Sequence, residues 1–356
     1  MKRLLVTGGA GFIGANFVHY WLREQPQDTV VVLDALTYAG NRDNLQGLDS
    51  HSGYNFVHGD IRDQALVEQL LVQQQIDTLV HFAAESHVDR SISGPDAFID
   101  TNIIGTHALL KAARAVWSAT GGFAGKRFHH VSTDEVYGSL SPTDPAFTET
   151  TAYAPNSPYS ASKAASDHLV RAYHHTFGLP VSTSNCSNNY GPYQFPEKLL
   201  PLCLLNILHG RALPIYGDGQ QVRDWLHVDD HNHGIALILA QGQIGETYNI
   251  GGHNEWANLD TVKLLCRLVD QLFAQDSSLA QRFPQSPAAR GESASLITFV
   301  TDRLGHDTRY AIDAGKIGRA LGYHPQVSFE EGLRQTVAWY LNNETWWRAL
   351  QARQAG

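Results

Sequence analysis

The chain has 356 residues and a mass of 39.2 kDa, which suits one large domain or two joined domains. A charged fraction of 17% and a hydrophobic fraction of 43% are those of an ordinary folded protein and exclude an intrinsically disordered chain. The formal charge of -9 argues against nonspecific binding to nucleic acid, because the chain has no basic surplus to displace phosphate counterions.

The first predicted elements are a strand, a glycine-rich turn and a helix. Residues 4–7 are apolar, glycines follow at positions 8, 9, 11 and 14, and apolar residues then recur at helical spacing. Glycines let a backbone approach a pyrophosphate closely, and the N-terminus of the following helix stabilises its charge. A glycine pattern alone is also typical of an ordinary tight turn, so the interpretation as a dinucleotide site depends on the strands that follow.

Acidic residues follow the second and third predicted strands. Asp34 comes after the strand at 29–33 and lies about 20 residues beyond Gly14, near the offset of an acid that hydrogen-bonds an adenosine ribose. Its charge would repel a 2'-phosphate, which favours NAD over NADP. Asp60 follows the strand at 54–58 and either reaches the adenine amino group or caps the helix that begins near Asp63.

Two neighbouring carboxyl groups follow the fifth predicted strand. A fourth strand at 78–82 leads into small residues that leave room for a ligand, and a helix is predicted at 96–119. The fifth strand, at 127–131, leads into Ser132-Thr133-Asp134-Glu135-Val136-Tyr137-Gly138. Ligands bind at the carboxyl edge of an open parallel sheet. Asp134 and Glu135 are therefore candidates for a proton donor and acceptor pair.

A tyrosine and a lysine share one face of the next predicted helix. Ser157 and Pro158 are typical of a helix start, and Tyr159 and Lys163 follow four residues apart. A lysine ammonium near a phenol lowers the tyrosine pKa, as a hydroxyl-deprotonating base requires. The alternative is an ordinary surface pair, which the preceding dinucleotide pattern disfavours. Gly178 ends the helix, and a sixth strand completes the strand order 3-2-1-4-5-6.

The chain beyond residue 190 predicts a smaller lobe. Short strands are predicted at 213–216, 223–228, 247–250 and 297–300, with helices at 197–209, 229–241 and 259–274. Pro201 is expected to kink or reset the first of these helices, and residues 274–294 are predicted to be a loop. The sequence thus predicts an α/β fold with a Rossmann-type doubly wound parallel sheet in residues 1–190. A smaller α/β substrate-binding lobe is predicted in residues 191–356, with an interleaved boundary.

The cysteines and histidines indicate neither a disulfide framework nor a metal site. Cys186, Cys203 and Cys266 are widely spaced, which suits reduced thiols in a cytoplasmic protein, and Cys186 is interpreted as a core residue. His231 and His233 lie two apart and would diverge on a helix, so no metal is predicted. No apolar stretch approaches the roughly 20 residues that span a bilayer, and no membrane partner is expected.

These residues together predict an oxidation followed by an elimination. A nicotinamide enzyme with Tyr159 as base and Lys163 as support would oxidise an alcohol to a ketone. A ketone acidifies the neighbouring carbon, so a carboxylate can remove that proton while a carboxylic acid protonates a hydroxyl leaving from the next carbon. Asp134 and Glu135 suit these two roles, because carboxyls crowded in a desolvated cleft have their pKa values pushed apart.

Several long motifs in the same order resemble the dTDP-glucose 4,6-dehydratases, within the extended short-chain dehydrogenase/reductase family. The resemblance runs from about residue 1 to 345 and rests on residues 36–41, 83–91, 132–138, 185–192, 195–199, 221–225 and 248–252. It implies an NAD-dependent hydro-lyase that converts dTDP-glucose to dTDP-4-dehydro-6-deoxyglucose. It also implies a tightly bound NAD that is recycled within each turnover, and a homodimer formed through two helices of the NAD domain.

The resemblance implies a role for each matching residue. Tyr159, supported by Lys163, would deprotonate the sugar 4-hydroxyl with help from Thr133. Glu135 would take the C5 proton, and Asp134 would protonate the leaving C6 hydroxyl. The implied cofactor residues are Gly8, Gly11, Phe12, Ile13, Gly14, Asp34, Ala35, Leu36, Thr37, Asp60, Ile61, Phe82, Ala83, Ala84, Ser86, Thr101, Tyr159, Lys163 and Asn189. The implied substrate residues are Ser86, Thr133, Asn188, Lys198, Leu199, Pro214, Ile215, Tyr216, Arg223, Asn258, Asp302, Arg303 and His306.

Arg223 and Leu304 bear on how the nucleotide is held. A planar guanidinium binds phosphate oxygens in bidentate fashion, so Arg223 is expected to bind the diphosphate. Leu304 stands where the family usually has proline. This departure bears on nucleotide affinity rather than on the reaction.

Three alternative functions remain at this point. A sugar-nucleotide 4-epimerase would use the same tyrosine and lysine, but it has no need of an acid and base pair such as Asp134 and Glu135. A dehydratase of a UDP or GDP sugar would use every catalytic residue named above. A noncatalytic NAD sensor would have no reason to keep all the reacting groups.

Overall fold

The structure is a computed structural model and describes residues 1–355. Its strands are β1 (Arg3–Thr7), β2 (Thr29–Asp34), β3 (Tyr54–His58), β4 (Thr78–His81), β5 (Arg127–Thr133), β6 (Val181–Cys186), β7 (Asn188–Tyr190), β8 (Leu213–Tyr216), β9 (Val222–His227), β10 (Thr247–Ile250), β11 (Glu255–Ala257) and β12 (Ile297–Val300). Its helices are α1 (Phe12–Glu24), α2 (Gln64–Gln73), α3 (Val88–Ser93), α4 (Asp96–Phe98), α5 (Thr106–Ala119), α6 (Pro158–Phe177), α7 (Leu199–Leu208), α8 (Val228–Gln241), α9 (Asn258–Gln275), α10 (Ser278–Arg282), α11 (Gly315–Leu321), α12 (Phe329–Asn342) and α13 (Glu344–Ala355). No helix in these 355 residues is both long and apolar enough to cross a membrane.

A seven-stranded parallel sheet organises the first part of the chain. Its order is β10-β6-β5-β4-β1-β2-β3, which confirms the predicted Rossmann-type order of the first six strands. β10 adds a seventh strand beside β6, with Thr247 opposite Thr183. The assignment of residues 247–250 to the smaller lobe was therefore wrong. The chain returns to the first sheet after it has begun the second lobe.

Helices cover both faces of this sheet. Leu4 and Leu5 point to opposite faces, because successive side chains alternate along a strand. Leu4 enters a core with buried residues of α1 and α8, whereas Leu5 enters a core with residues of α2, α5 and α6. Burial on both faces explains why these strands are continuous apolar runs rather than alternating ones.

The C-terminal lobe has its own core and two small sheets. β11, β9 and β7 form one sheet, and β12 pairs with β8 in the other. α7, α9 and α12 pack around Trp225, which stacks on Phe329 at a centroid distance of 5.7 Å. α7 begins at Leu199 rather than at the predicted residue 197, so Pro201 lies in its first turn, where a missing N–H costs little. The predicted loop at 274–294 was wrong, because α10 and the short 3-10 helices Pro287–Arg290 and Ser293–Leu296 occupy most of it.

The helix predicted at 96–119 is interrupted by a π-helical segment, Ile99–Gly105. Asn102, in this segment, is buried and pairs with the backbone of Glu85, accepting from its N–H at 2.8 Å and donating to its carbonyl at 2.9 Å. The Asn102 amide also donates to Ser162 Oγ at 2.8 Å. The extra residue of a π segment reorients one turn of a helix. Here that turn carries Thr101 to the edge of the cavity described below.

Candidate active site

A cavity of about 350 Å³ lies at the carboxyl ends of the central strands. Its walls come from the ends of β1, β2, β4, β5 and β6 and from the segment 194–198 of the second lobe. This is the position at which open parallel sheets bind ligands.

The glycine turn forms one wall of the cavity. Gly8 has a φ of +70°, and a Cβ there would lie 2.5 Å from the backbone nitrogen of Ala83. Gly11 is the N-cap of α1, so the first N–H groups of that helix lie beside the turn. Close backbone approach and free helix N–H groups are the features that accommodate a pyrophosphate.

Asp34 is buried at the end of β2 and is held by backbone groups. Its carboxylate accepts from the N–H groups of Ala10 and Leu36, each at 2.8 Å. Burial raises the pKa of Asp34, and these two backbone N–H groups act in the opposite direction. Each carboxylate oxygen keeps a second acceptor position, since a carboxylate offers about four lone-pair sites. Asp34 lines the cavity, whereas Leu36 does not.

Asp60 lines the cavity near the end of β3. It binds the side chain of Arg62 at 2.6 Å. The N-cap of α2 is Asp63, which accepts from Leu66 N–H at 3.0 Å. The alternative role of Asp60 as the helix cap was therefore wrong.

The carboxyl pair lies in a 3-10 turn, Asp134–Tyr137, directly after β5. Thr133 caps this turn, and its hydroxyl accepts from Glu135 N–H at 3.3 Å. Tyr137 fixes the other end, because it donates to Asn249 at 2.9 Å and accepts from the Asn185 amide at 2.8 Å. Both carboxyl groups are thus placed at the cavity by a turn tied to β6 and β10.

The two carboxyl groups have different electrostatic surroundings. Burial raises the pKa of Asp134 well above its ordinary value, and the nearby charges of Glu135 and Asp224 raise it further. Burial also raises the pKa of Glu135, but Arg223 and Lys198 act in the opposite direction. A cationic neighbourhood favours the carboxylate form. Asp134 is therefore the better proton donor of the pair and Glu135 the better acceptor.

α6 places Tyr159 and Lys163 on the cavity wall beside this pair. Lys163 Nζ donates to the carbonyl of Val131 at 2.9 Å. Burial raises the pKa of Tyr159 well above its ordinary value, Glu135 raises it further, and Thr133 lowers it. The sequence led us to expect a Tyr159 pKa lowered by Lys163. In the structure, burial and the nearby carboxyl group of Glu135 instead raise the pKa of Tyr159.

The predicted residues divide into those that line the cavity and those that do not. All five predicted catalytic residues line it, as do all predicted cofactor residues except Leu36. The predicted substrate residues that line it are Ser86, Thr133, Asn188 and Lys198. The others lie outside the lining: Leu199, Pro214, Ile215, Tyr216, Arg223, Asn258, Asp302, Arg303 and His306.

The residues outside the lining lie mainly on the second lobe. Arg223, on β9, donates to the backbone carbonyl of Asp307 at 3.0 Å and stacks over Tyr310 at 4.2 Å. Arg303 forms an ion pair with Asp89 at 2.6 Å. Ile215 is fully buried in the core of the second lobe, so only its backbone or its neighbours could reach a ligand.

The sequence analysis missed several lining residues. Cys186, interpreted as core, lines the cavity, with Sγ 3.4 Å from the carbonyl of Ser132. Other missed lining residues are Tyr38, Glu85, Gln194, Phe195 and Glu197. Tyr38, Phe195 and Glu197 lie within motifs that carried the family resemblance, so those motifs were the available signal. For Cys186, the available signal was its position at the end of β6, where the strands of an open parallel sheet meet a ligand.

Unpaired buried polar atoms line the same cavity. Within residues 1–355, the buried oxygens without a hydrogen-bond partner include Asp134 Oδ2, Ser187 Oγ, Asn188 Oδ1, Gln194 Oε1 and Glu197 Oε1. Buried polar groups normally have partners, so these oxygens are available to a polar ligand. Together with the glycine turn, they fit a dinucleotide and a sugar.

The described residues 1–355 contain no cluster of three His, Cys, Asp or Glu side chains that could hold a metal ion. Of the two closely spaced histidines of α8, His231 has its Nδ1 2.9 Å from the Oδ1 of Asn189, which lines the cavity. His233 instead lies beside Tyr20, with 3.3 Å between Nδ1 and the phenol oxygen.

Comparison with known proteins places the chain in a family. The family model for GDP-mannose 4,6 dehydratase matches residues 5–336. A dTDP-glucose 4,6-dehydratase from Salmonella typhimurium strain LT2 is 54% identical over 354 residues, which cover 97% of this chain and 94% of the relative. The chain belongs to the dTDP-glucose 4,6-dehydratase family.

Solved structures of this family share the fold. A dTDP-glucose 4,6-dehydratase from Streptomyces venezuelae, solved with NAD and dTDP bound, superposes with a TM-score of 0.86 at 50% identity and covers 98% of this chain and 100% of that chain. A UDP-glucose 4-epimerase from Thermotoga maritima, solved with UDP-glucose, superposes with a TM-score of 0.79 at 27% identity and covers 96% and 100%. The epimerase thus shares the architecture at much lower identity.

Proposed function

We propose that this protein is an NAD-dependent hydro-lyase that converts dTDP-glucose to dTDP-4-dehydro-6-deoxyglucose and water. The observation that carries the proposal is the pair of unequal carboxyl groups, Asp134 and Glu135, in a cavity that also holds Tyr159. Family membership supports the substrate, because the relatives from Salmonella and Streptomyces are dTDP-glucose 4,6-dehydratases.

The first step is oxidation at C4 of the sugar. NAD, when bound, supplies an acceptor for the C4 hydride and later returns that hydride to C6. Tyr159 takes the proton of the 4-hydroxyl, and Thr133 hydrogen-bonds the reacting oxygen. Lys163, beneath Tyr159, stabilises the phenolate that this role requires.

The second step is elimination of water across C5 and C6. The C4 ketone acidifies C5, so Glu135 in its carboxylate form removes the C5 proton. Asp134, kept protonated by burial and by neighbouring carboxyl groups, gives its proton to the departing C6 hydroxyl. This division of roles follows the general pattern in which unequal surroundings assign acid and base within a carboxyl pair.

Residues of the second lobe bind the nucleotide and its diphosphate. Arg223 and Lys198 both lower the pKa of Glu135, so both positive charges lie near the carboxyl group that we propose acts at C5. Arg223 has a planar guanidinium suited to two phosphate oxygens. The Arg303 guanidinium lies over the ring of Tyr216 at 5.3 Å, and Tyr216 is 38% exposed, so the pair offers a planar surface against which a base can stack.

One labelling experiment separates the possible functions. The protein is incubated with dTDP-glucose in deuterated water, and the nucleotide sugar is analysed by mass spectrometry and NMR. We expect net loss of water and one deuterium at C5, because the return of hydride to C6 leaves C5 to take back a proton, which Glu135 has exchanged with the solvent. Unchanged composition with a shift to the galactose isomer would indicate an epimerase, and an unaltered substrate would indicate a sensor. Parallel reactions with UDP-glucose and GDP-mannose test which nucleotide base the protein accepts.

We also infer the organisation of the chain. Residues 1–190 bind NAD and residues 191–356 mainly bind substrate, with β10 and α8 returning to the first sheet; Gly356 lies outside the described residues.

The protein forms a homodimer through the helices around α5 and α6, where Ile99, Ile104 and Phe177 are exposed apolar side chains. Ile104→Glu should then give a monomer by light scattering. The three buried thiols suit a cytoplasmic location.

A further inference from the structure

A buried carboxyl group lies beneath the proposed active site and takes no part in the steps above. Asp167 follows Lys163 by four residues on α6, as Lys163 follows Tyr159, so the three share one face of the helix. Asp167 is only 5% exposed. An isolated buried carboxylate is costly, which makes its partners informative.

Two side chains of β5 and one tyrosine surround this carboxylate. Asp167 Oδ1 accepts from His130 Nε2 at 3.0 Å, and Oδ2 accepts from Ser132 Oγ at 2.9 Å and from Tyr153 OH at 3.0 Å. His130 and Ser132 flank Val131, whose carbonyl accepts the Lys163 ammonium. The anion is therefore anchored to His130 and Ser132 and the cation to Val131, which lies between them on β5, next to Thr133.

These partners determine the charge of Asp167. Burial raises its pKa to about 6, while Lys163, Ser132 and Tyr153 act in the opposite direction. Asp167 is therefore ionised above about pH 6 and protonated below it. Burial lowers the pKa of Lys163, and Asp167 is the largest influence that raises it.

We propose that Asp167 is a positioning residue whose carboxylate is the counter-charge that keeps the Lys163 ammonium protonated beneath Tyr159. The proposal rests on the proposed function, because that function makes Tyr159 the base. Without this negative charge, Lys163 would lose its proton at lower pH. Tyr159 would then lose the positive charge that supports its phenolate.

Five other ionisable groups that face this pair stay neutral over the working pH range. They come from β4, β5, the turn after β5, the segment before α6, and β6: His81, His130, Tyr137, Tyr153 and Cys186. Burial lowers the pKa of both histidines and raises the pKa of both tyrosines and the thiol. His168, the neighbouring residue on α6, adds a positive influence on Asp167.

Asp167→Asn removes the charge with little other disturbance. The Asn oxygen can accept from Ser132 and Tyr153, and its amide can donate to His130 Nε2. His130 then carries its proton on Nδ1, which has no partner in the described structure. The Asn side chain keeps the shape and the hydrogen bonds of Asp167, so the variant should fold, but at pH 8 it should unfold at a lower temperature than the parent, because the buried Lys163 has lost its counter-charge.

The test compares kcat and KM for dTDP-glucose against pH for the parent and Asp167→Asn. We expect kcat to fall about 10-fold to 100-fold near pH 8, with KM changed little; this is less than the roughly 10²-fold to 10⁴-fold contributed by a catalytic acid or base, because Asp167 acts only through Lys163. The ratio of the two kcat values should approach one below about pH 6, where Asp167 in the parent is also protonated. The decrease of kcat at alkaline pH should begin at a lower pH in the variant than in the parent, because Lys163 loses its proton more easily.

Two further variants sharpen the result. Tyr153→Phe removes one donor that lowers the Asp167 pKa, so the acid-side transition of kcat should move to higher pH while kcat at high pH is retained. Asp230→Asn removes another buried carboxylate, which accepts from the backbone of Gln326 and Val327 and lies outside the cavity. It should leave the pH profile of kcat unchanged.

The outcomes distinguish this inference from the proposed function. A parent protein that does not dehydrate dTDP-glucose overturns the proposed function. An active parent with a kcat ratio that is constant across pH, or with an unmoved alkaline limb, overturns the counter-charge role. If Asp167→Asn does not fold, the Tyr153→Phe variant decides. Movement of its acid-side transition of kcat to higher pH supports the counter-charge role of Asp167, and a transition at the parent pH overturns it.

Discussion

Asp134 and Glu135 are adjacent in sequence, but the surroundings of Asp134 favour its protonated form more strongly than those of Glu135 do. Asp134 has one buried oxygen without a partner and two neighbouring carboxyl groups, Glu135 and Asp224, both of which favour its protonated form. Glu135 faces the cavity toward Arg223 and Lys198, which favour its ionised form. At the scale of single residues, the assignment of acid and base therefore depends on charges supplied by the second lobe.

Glu135→Gln tests that assignment. The amide cannot take the C5 proton, but it leaves Tyr159 and the dinucleotide site intact. On mixing with dTDP-glucose, we expect absorbance of reduced NAD to appear while kcat for water loss falls by about 10²-fold to 10⁴-fold. Glu330→Gln, an exposed change on α12, is the control and should behave as the parent. Turnover of Glu135→Gln at the parent rate would contradict its role as the C5 base.

At the scale of elements, α6 is the helix that the site depends on most. Its N-terminus has a capping box, in which Ser157 Oγ accepts from Ser160 N–H and Ser160 Oγ accepts from Ser157 N–H, each at 3.0 Å. Gly178 ends the helix in the left-handed conformation with a φ of +69°. Local residue choices thus fix both ends of the helix that carries Tyr159.

Ser157→Ala should loosen that helix start. Loss of an N-cap hydroxyl costs about 1 kcal/mol, and the cap lies two residues before Tyr159. We expect a matching decrease in the free energy of unfolding, measured by denaturant titration, with a several-fold decrease in kcat. Ser328→Ala is a matched control, because Ser328 begins α12 without a side-chain capping bond. Equal losses for the two variants would show that the capping box contributes nothing specific.

Local patterns explain why much of the first sheet could be predicted from the sequence. Apolar runs, the glycine turn and the capped helix each depend on a few neighbouring residues. The placement of β10 could not be read in the same way, since Thr247 pairs with Thr183 from a distant part of the chain. The π segment at 99–105 likewise depends on tertiary bonds of Asn102. Arg223 was predicted, but its orientation depends on Asp307 and Tyr310.

At the scale of the whole molecule, the two lobes meet across the mouth of the cavity. Lys198, from the second lobe, donates to the carbonyl of Ser86 at 3.0 Å. Arg303 reaches Asp89 on α3 with Nε 2.6 Å from a carboxylate oxygen. Leu304, beside it, is 79% exposed. A partly exposed ion pair therefore ties the segment expected to bind the nucleotide to the first lobe, and a hydrogen bond from Asn156 to Asp307 at 2.7 Å ties its C-terminal end.

Asp89→Asn tests what this ion pair does. A partly exposed pair contributes only about 0.2–1 kcal/mol, so unfolding should change little. Because the Asp89 carboxylate holds the guanidinium that we propose lies against the base, its removal should free Arg303 for the nucleotide and lower KM for dTDP-glucose about two- to fivefold, with kcat unchanged. Added salt should reduce that difference, since it screens exposed charges. Asp260→Asn, which removes an exposed carboxylate paired with Lys263 at 3.9 Å, is the matched control. An increase in KM would instead mean that Asp89 orients Arg303 toward the nucleotide, so the sign of the change determines whether the ion pair opposes or prepares substrate binding.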